Sequence, residues 1–108
     1  MDYPPQNVEM NIVKKQVSFT DTELKVSKGT ATGKYALEMR GFLRVLKDIR
    51  GKADELSYVP TASEAVDFGR EMKAGATKKQ AIHRALIGKY VGEDRVKVTE
   101  SVKAHMTY

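Results

Sequence analysis

KYALEMRGFLRVLKDIR, residues 34–50, is the stretch on which the fold turns. Tyr35, Met39, Phe42, Leu46 and Ile49 recur at steps of four and three, with Leu37 and Leu43 beside them. That spacing predicts a helix with one apolar face. Arg40, Arg44 and Lys47 follow the same spacing and form a second, basic stripe. The helix is therefore expected to pack inward and hold cations outward, ending near Gly51. Gly41 marks either a close packing contact or an exposed glycine of modest cost.

Downstream, Pro60 forces Val59 into an extended conformation. Thr61 or Ser63 is then placed to cap a helix running through Gly69 and Met72, with Glu64 or Asp67 acidic near its start. Gly75 is expected to stop it. Thr77 caps the next helix, and Gln80 three residues later completes a capping-box pattern. Ala81, Ile82, Ala85 and Leu86 form its inner face, while Lys78, Lys79, His83 and Arg84 lie around the rest. This helix should end near Tyr90 and Gly92. In the tail, Val96 and Val98 alternate like a strand, whereas Val98, Val102 and Met106 recur like a helix. A helix from about Thr99 after a short extended piece is the expectation.

Upstream, Val8, Met10 and Ile12 alternate with polar residues, and the alternation resumes at Val17 and Phe19. Leu24 and Val26 repeat it beyond a polar turn at residues 20–23. Period two on both sides of a turn predicts an N-terminal antiparallel β-hairpin. Residues 1–7, with Pro4, Pro5 and Asn7, read as a flexible lead-in. SKGTATGKY, residues 27–35, holds glycines and a lysine, but only three residues separate Gly29 from Gly33, and Tyr35 follows Lys34 where a phosphate loop needs Ser or Thr. It reads as a loop, with Thr32 as a candidate helix cap.

The 108 residues amount to one domain. The fold expected is α+β, a single domain over residues 8–108 with an N-terminal antiparallel β-hairpin followed by three or four short helices. Without cysteine, disulfide scaffolds and thiolate zinc sites are excluded. No apolar run approaches the roughly 20 residues that span a bilayer, and the N-terminus lacks a signal-peptide layout, so no membrane association and a cytoplasmic location are expected.

Formal net charge is +5, unevenly spread. Residues 1–33 balance and residues 56–75 are slightly acidic. The last third sets Lys78, Lys79, Arg84, Lys89, Arg95, Lys97 and Lys103 against Glu93, Asp94 and Glu100. Such a concentration favours a polyanion if the cations share a face.

VPTASEAVDFGREMKAGATKKQAIHRALIGKY resembles the ribbon-helix-helix DNA-binding proteins, with Tyr58 and Val59 in the strand, Gly75 and Thr77 at the turn, and Ile82 and Ala85 inside. The resemblance implies a dimer whose paired strands enter the major groove, with Leu56 and Tyr58, or Ser57, as readers. KAGATKKQAIHRAL is also similar to helix-turn-helix domains, in which case the reading helix comes from the tail, Thr99 and Ser101 facing bases. Both resemblances cover only the second half. They imply a DNA-binding accessory or regulatory protein, of the kind that serves transcription regulation, with Lys78, Lys79, His83, Arg84, Lys89, Arg95 and Lys97 on nucleic acid, Arg40, Arg44 and Lys47 as additional basic surface, and Thr77 as a cap. Double-stranded DNA is the expected partner and a homodimer the expected assembly. The alternative is a protein-interaction or inhibitor module docking through Phe42, Leu43, Leu46 and Ile49.

Catalytic signatures are absent from the sequence. His83 and His105 are far apart and lack ligand spacing, and no serine lies in an activating motif. No metal or cofactor is implied. Tyr35, Tyr58, Tyr90 and Tyr108 lie on different elements, which suits core or interface roles better than a base-stacking platform.

Overall fold

A computed structural model describes residues 5–106. It is a small α+β domain with one short antiparallel hairpin and several short helices: α1 (Gln6–Val17), β1 (Val26–Ser27), β2 (Thr30–Ala31), α2 (Ala36–Arg50), α3 (Ala62–Lys73), α4 (Lys78–Ala85) and α5 (Gly92–His105), with 3₁₀ turns at Ala53–Glu55 and Ile87–Lys89.

The hairpin stands after the first helix, and residues 8–17, expected as a strand, are helical. Their burial explains why. Glu9, Val13 and Val17 face inward at steps of four, whereas Val8 and Ile12, two members of the alternating set, are exposed. Glu9 in the first turn and Lys14 and Lys15 in the last complement the helix dipole. Packing of the Val13 and Val17 face against α3 thus overrides a local alternation of period two. The expected polar turn at residues 20–23 does form, with the Thr20 N–H donating to Glu23 and the Glu23 N–H donating to the Thr20 hydroxyl at 2.8 and 3.1 Å. The chain beyond it pairs forward: Val26 lies opposite Ala31 and Ser27 opposite Thr30. Of the predicted lead-in, residues 1–4 lie outside the described residues, and Gln6 and Asn7 already belong to α1.

Helix α2 is the centre of the core. Met39, Phe42, Val45 and Leu46 are fully buried, and Phe42 stacks on Phe68 of α3 with ring centroids 4.3 Å apart. Phe42, Leu43, Leu46 and Ile49, the face considered for docking a partner, are at most 2% exposed. That docking reading is corrected accordingly, because a partner reaches these side chains only by opening the core. Gly41 is a close contact: a Cβ there would stand 3.0 Å from Met106 Cγ and 3.2 Å from the His105 carbonyl. This lets α5 pack along α2. Thr32 caps no helix, since α2 starts at Ala36, and its hydroxyl donates to the Lys25 carbonyl instead.

The capping box expected at Thr77 is present, and the cap expected at Thr61 or Ser63 falls on Thr61, where Glu64 completes a second box. The Thr61 hydroxyl accepts from the Ser63 N–H and the Thr61 N–H donates to Glu64, opening α3. The Gln80 N–H donates to the Thr77 hydroxyl while the Thr77 N–H donates to the Gln80 side chain, opening α4. Between them Gly75 turns the chain at φ +97°. Helices α1 and α4 both pack on α3. Helix α5 begins at Gly92, seven residues before Thr99 as expected from sequence, so the extended piece foreseen there is helical; Val98, Val102 and Met106 face the core and Val96 faces out.

Candidate nucleic-acid interface

The outer side of α2 follows from its own periodicity. Leu37, placed by its spacing beside the apolar face, is instead exposed, and with the other apolar residues of α2 buried it stands in one row with the exposed Arg44 and Lys47. Two neighbouring elements reach this row. The first turn of α4 brings Lys78, and the end of α5 brings His105; Leu37, Glu38, Gly41, Arg44, Lys78, His105 and Met106 line one cleft of about 90 Å³. That volume is below the several hundred Å³ of a small-molecule pocket. A broader depression adjoins it, lined by Gln6, Arg44, Lys47, Asp48, Gly51, Lys52 and His105. Arg44 and His105 belong to both, so Lys78, Arg44, Lys47 and Lys52 form one continuous band.

Two carboxylates, Glu38 and Asp48, stand in the band against these four cations. Asp48 is occupied from within. The buried Ser101 hydroxyl donates to it at 2.5 Å, and this bond, more than Lys52 at 3.7 Å or His105 at 3.6 Å, holds its carboxyl below the usual range.

The other cations singled out in the sequence are differently placed. Lys79 and His83 are exposed on α4. Arg84 pairs with Glu71 of α3 at 3.0 Å. Lys89 reaches Glu64 at 3.1 Å and Asp67 at 3.8 Å. Lys97 lies 3.5 Å from Glu55. Arg95 donates through Nε to the Tyr90 carbonyl at 2.8 Å. Arg40 donates to the Gly29 carbonyl at 3.3 Å, tying α2 to the hairpin. Thr77 acts as the cap expected of it. Arg44, Lys47 and Lys78 are thus brought together, while Arg84, Lys89 and Lys97 are each matched to an acid. Lys52 and His105 are members of the band that sequence reasoning missed. Lys52 one turn after Asp48 was the available signal; His105 carried none.

Residues 56–60 follow the first 3₁₀ turn without a strand partner among the described residues. Arg50 Nε donates to the Pro60 carbonyl at 3.0 Å, the Tyr90 hydroxyl to the Tyr58 carbonyl at 3.0 Å, and Ser57 donates twice to Asp94. Glu64, 1% exposed, accepts from the Tyr58 hydroxyl, the Thr61 N–H and Lys89. Tyr35 and Tyr90 are buried, Tyr58 meets Tyr90 edge-on at 5.6 Å, and Tyr108 lies outside the described residues. Among the described residues no cluster of three His, Cys, Asp or Glu could hold a metal ion, and no helix is long and apolar enough to cross a membrane.

No known protein family, curated protein or solved structure matches the chain.

Proposed function

We propose that the chain is a non-catalytic DNA-binding accessory or regulatory protein of the cytoplasm, acting as a homodimer on double-stranded DNA. The observation that carries this reading is the band in which Arg44 of α2 and Lys78 of α4, far apart in sequence, line the same cleft, with Lys47 and Lys52 beyond it. Cations on a shared rigid surface displace counterions from the phosphate backbone, and phosphate contacts of this kind position a protein without reading bases. The α3–turn–α4 unit, capped at both helix starts and exposing Lys79 and His83, supplies the helical pair to which both DNA-binding resemblances point.

Binding to a labelled duplex, followed by fluorescence anisotropy, tests the reading. Arg44→Ala, Lys47→Ala and Lys78→Ala combined should lower the slope of log affinity against log salt by about three, at roughly 0.9 for each phosphate no longer neutralised. An unchanged slope would remove the band from the interface.

A further inference from the structure

The hairpin joining α1 to α2 contributes almost nothing to the core. Residues 25–30 are exposed, Val26 at 45%. Two residues per strand are too few for a hairpin to persist by itself in water. It is nevertheless held firmly at its base: the Thr32 and Gly33 N–H groups donate to the Lys25 carbonyl at 2.9 and 3.0 Å, and the Tyr35 N–H donates to the Glu23 carbonyl at 2.9 Å. Its tip turns through Lys28 at φ 52° and Gly29 at φ 78°, the left-handed pair that a two-residue hairpin loop requires. The Gly29 carbonyl is the acceptor for Arg40.

Charge distinguishes this segment from the C-terminal third. Residues 24–37, LKVSKGTATGKYAL, contain Lys25, Lys28 and Lys34 and no acid. Lys34 lies over the Tyr35 ring. Among the described residues neither Lys25 nor Lys28 makes an ion pair, unlike Arg84, Lys89 and Lys97. Arg40, which grips the tip, stands one helical turn before Arg44, so the hairpin continues the exposed row of α2 at its N-terminal end.

We infer that the Val26–Ala31 hairpin is a second DNA-contacting element, a preorganised arm that sets Lys25 and Lys28 on backbone phosphates beyond those met by Arg44, Lys47 and Lys78. The inference rests on the proposed DNA-binding function and extends its footprint. An arm already ordered in the free protein avoids the entropy of ordering on binding, which gives a surface hairpin without core residues a reason to be pinned at tip and base.

The test compares the wild type, Lys25→Ala/Lys28→Ala, and the Arg44/Lys47/Lys78 alanine variant on one labelled duplex over a salt series, with circular dichroism and Tm as checks of folding. The hairpin variant should keep its spectrum and Tm while its salt slope falls by about two. Lys28→Glu, a single exposed change, should weaken binding further than Lys28→Ala. If the hairpin variants retain the wild-type slope and affinity while the band variant loses both, the hairpin inference fails and the band stands. If the wild type shows no salt-dependent binding to duplex, both fail together.

Discussion

The Arg50 guanidinium meets the Glu9 carboxylate in a two-pronged pair, Nη1 to Oε2 at 2.9 Å and Nη2 to Oε1 at 2.5 Å, with both side chains under a tenth exposed. Through it the start of α1 is locked to the end of α2, and Arg50 Nε continues to the Pro60 carbonyl just before α3. Removing one partner of such a buried pair leaves the other charge uncompensated, at about 3–5 kcal/mol. Glu9→Ala should therefore lose about that much stability in urea denaturation. Val8→Ala, at a position 41% exposed, should stay within about 0.5 kcal/mol.

Glu64 links acid stability to the loop before α3. Burial by itself pushes its carboxyl up, but the hydrogen bonds from Tyr58, the Thr61 N–H and Lys89 outweigh burial and hold it below the ordinary value of 4.5. A depressed carboxylate contributes stability that is complete above its ordinary value and is lost as pH falls through the folded-state value. Wild-type Tm should accordingly drop as pH is lowered below about 4.5, and Glu64→Gln should be less stable at neutral pH with a flatter acid limb. Equal acid limbs for the two proteins would argue against this role.

Tyr58 shares that network. Burial, then the hydrogen bond to Glu64, pushes its hydroxyl up to about 12. In a spectrophotometric phenolate titration one tyrosine should ionise near pH 12 in the folded protein, and Tyr58→Phe should delete that step. A folded protein whose spectrum completes its change near pH 10 would contradict the arrangement.

Gly33 lies where the hairpin meets the turn before it. A Cβ there would stand 2.4 Å from the Glu23 and Thr22 carbonyl oxygens. Neither backbone atom can yield without opening the hairpin base, so Gly33→Ala should cost about 1–3 kcal/mol in thermal or urea unfolding. An alanine variant as stable as the wild type would show that the base is looser than described.

The features legible in the sequence are the local ones. The apolar spacing of α2 needs only neighbours three and four residues away, the Thr77 capping box needs only the residue three places on, and local sequence narrows the cap of α3 to Thr61 or Ser63. What escaped notice depends on distant partners. Helix α1 is fixed by packing on α3 and by a carboxylate whose arginine lies 41 residues along the chain, so Val8, Met10 and Ile12 alternate without forming a strand. The start of α5 was obscured because Val96 and Val98 carry the same alternation. For the site, the basic stripe of α2 was legible, but the acids that take Arg84 and Lys89 are 13 and 25 residues away. A count of charge along the chain therefore does not show that Arg84, Lys89 and Lys97 each face an acid in the fold.

Pairing separates two sets of cations. Lys89→Ala with Lys97→Ala should change the salt slope of DNA binding by less than one, because those charges already face Glu64, Asp67 and Glu55. The Arg44, Lys47 and Lys78 alanine variant should lower it by about three. Equal effects from both sets would mean that total charge, and not the band, governs binding.

The most direct measurement is the anisotropy of a labelled DNA duplex titrated with the wild-type protein at successive salt concentrations. Four cations of the band and two of the hairpin, at roughly 0.9 each, predict a log affinity that falls linearly with log salt with a slope of about −5. Failure to bind duplex even at low salt, or an affinity indifferent to salt, would contradict the account.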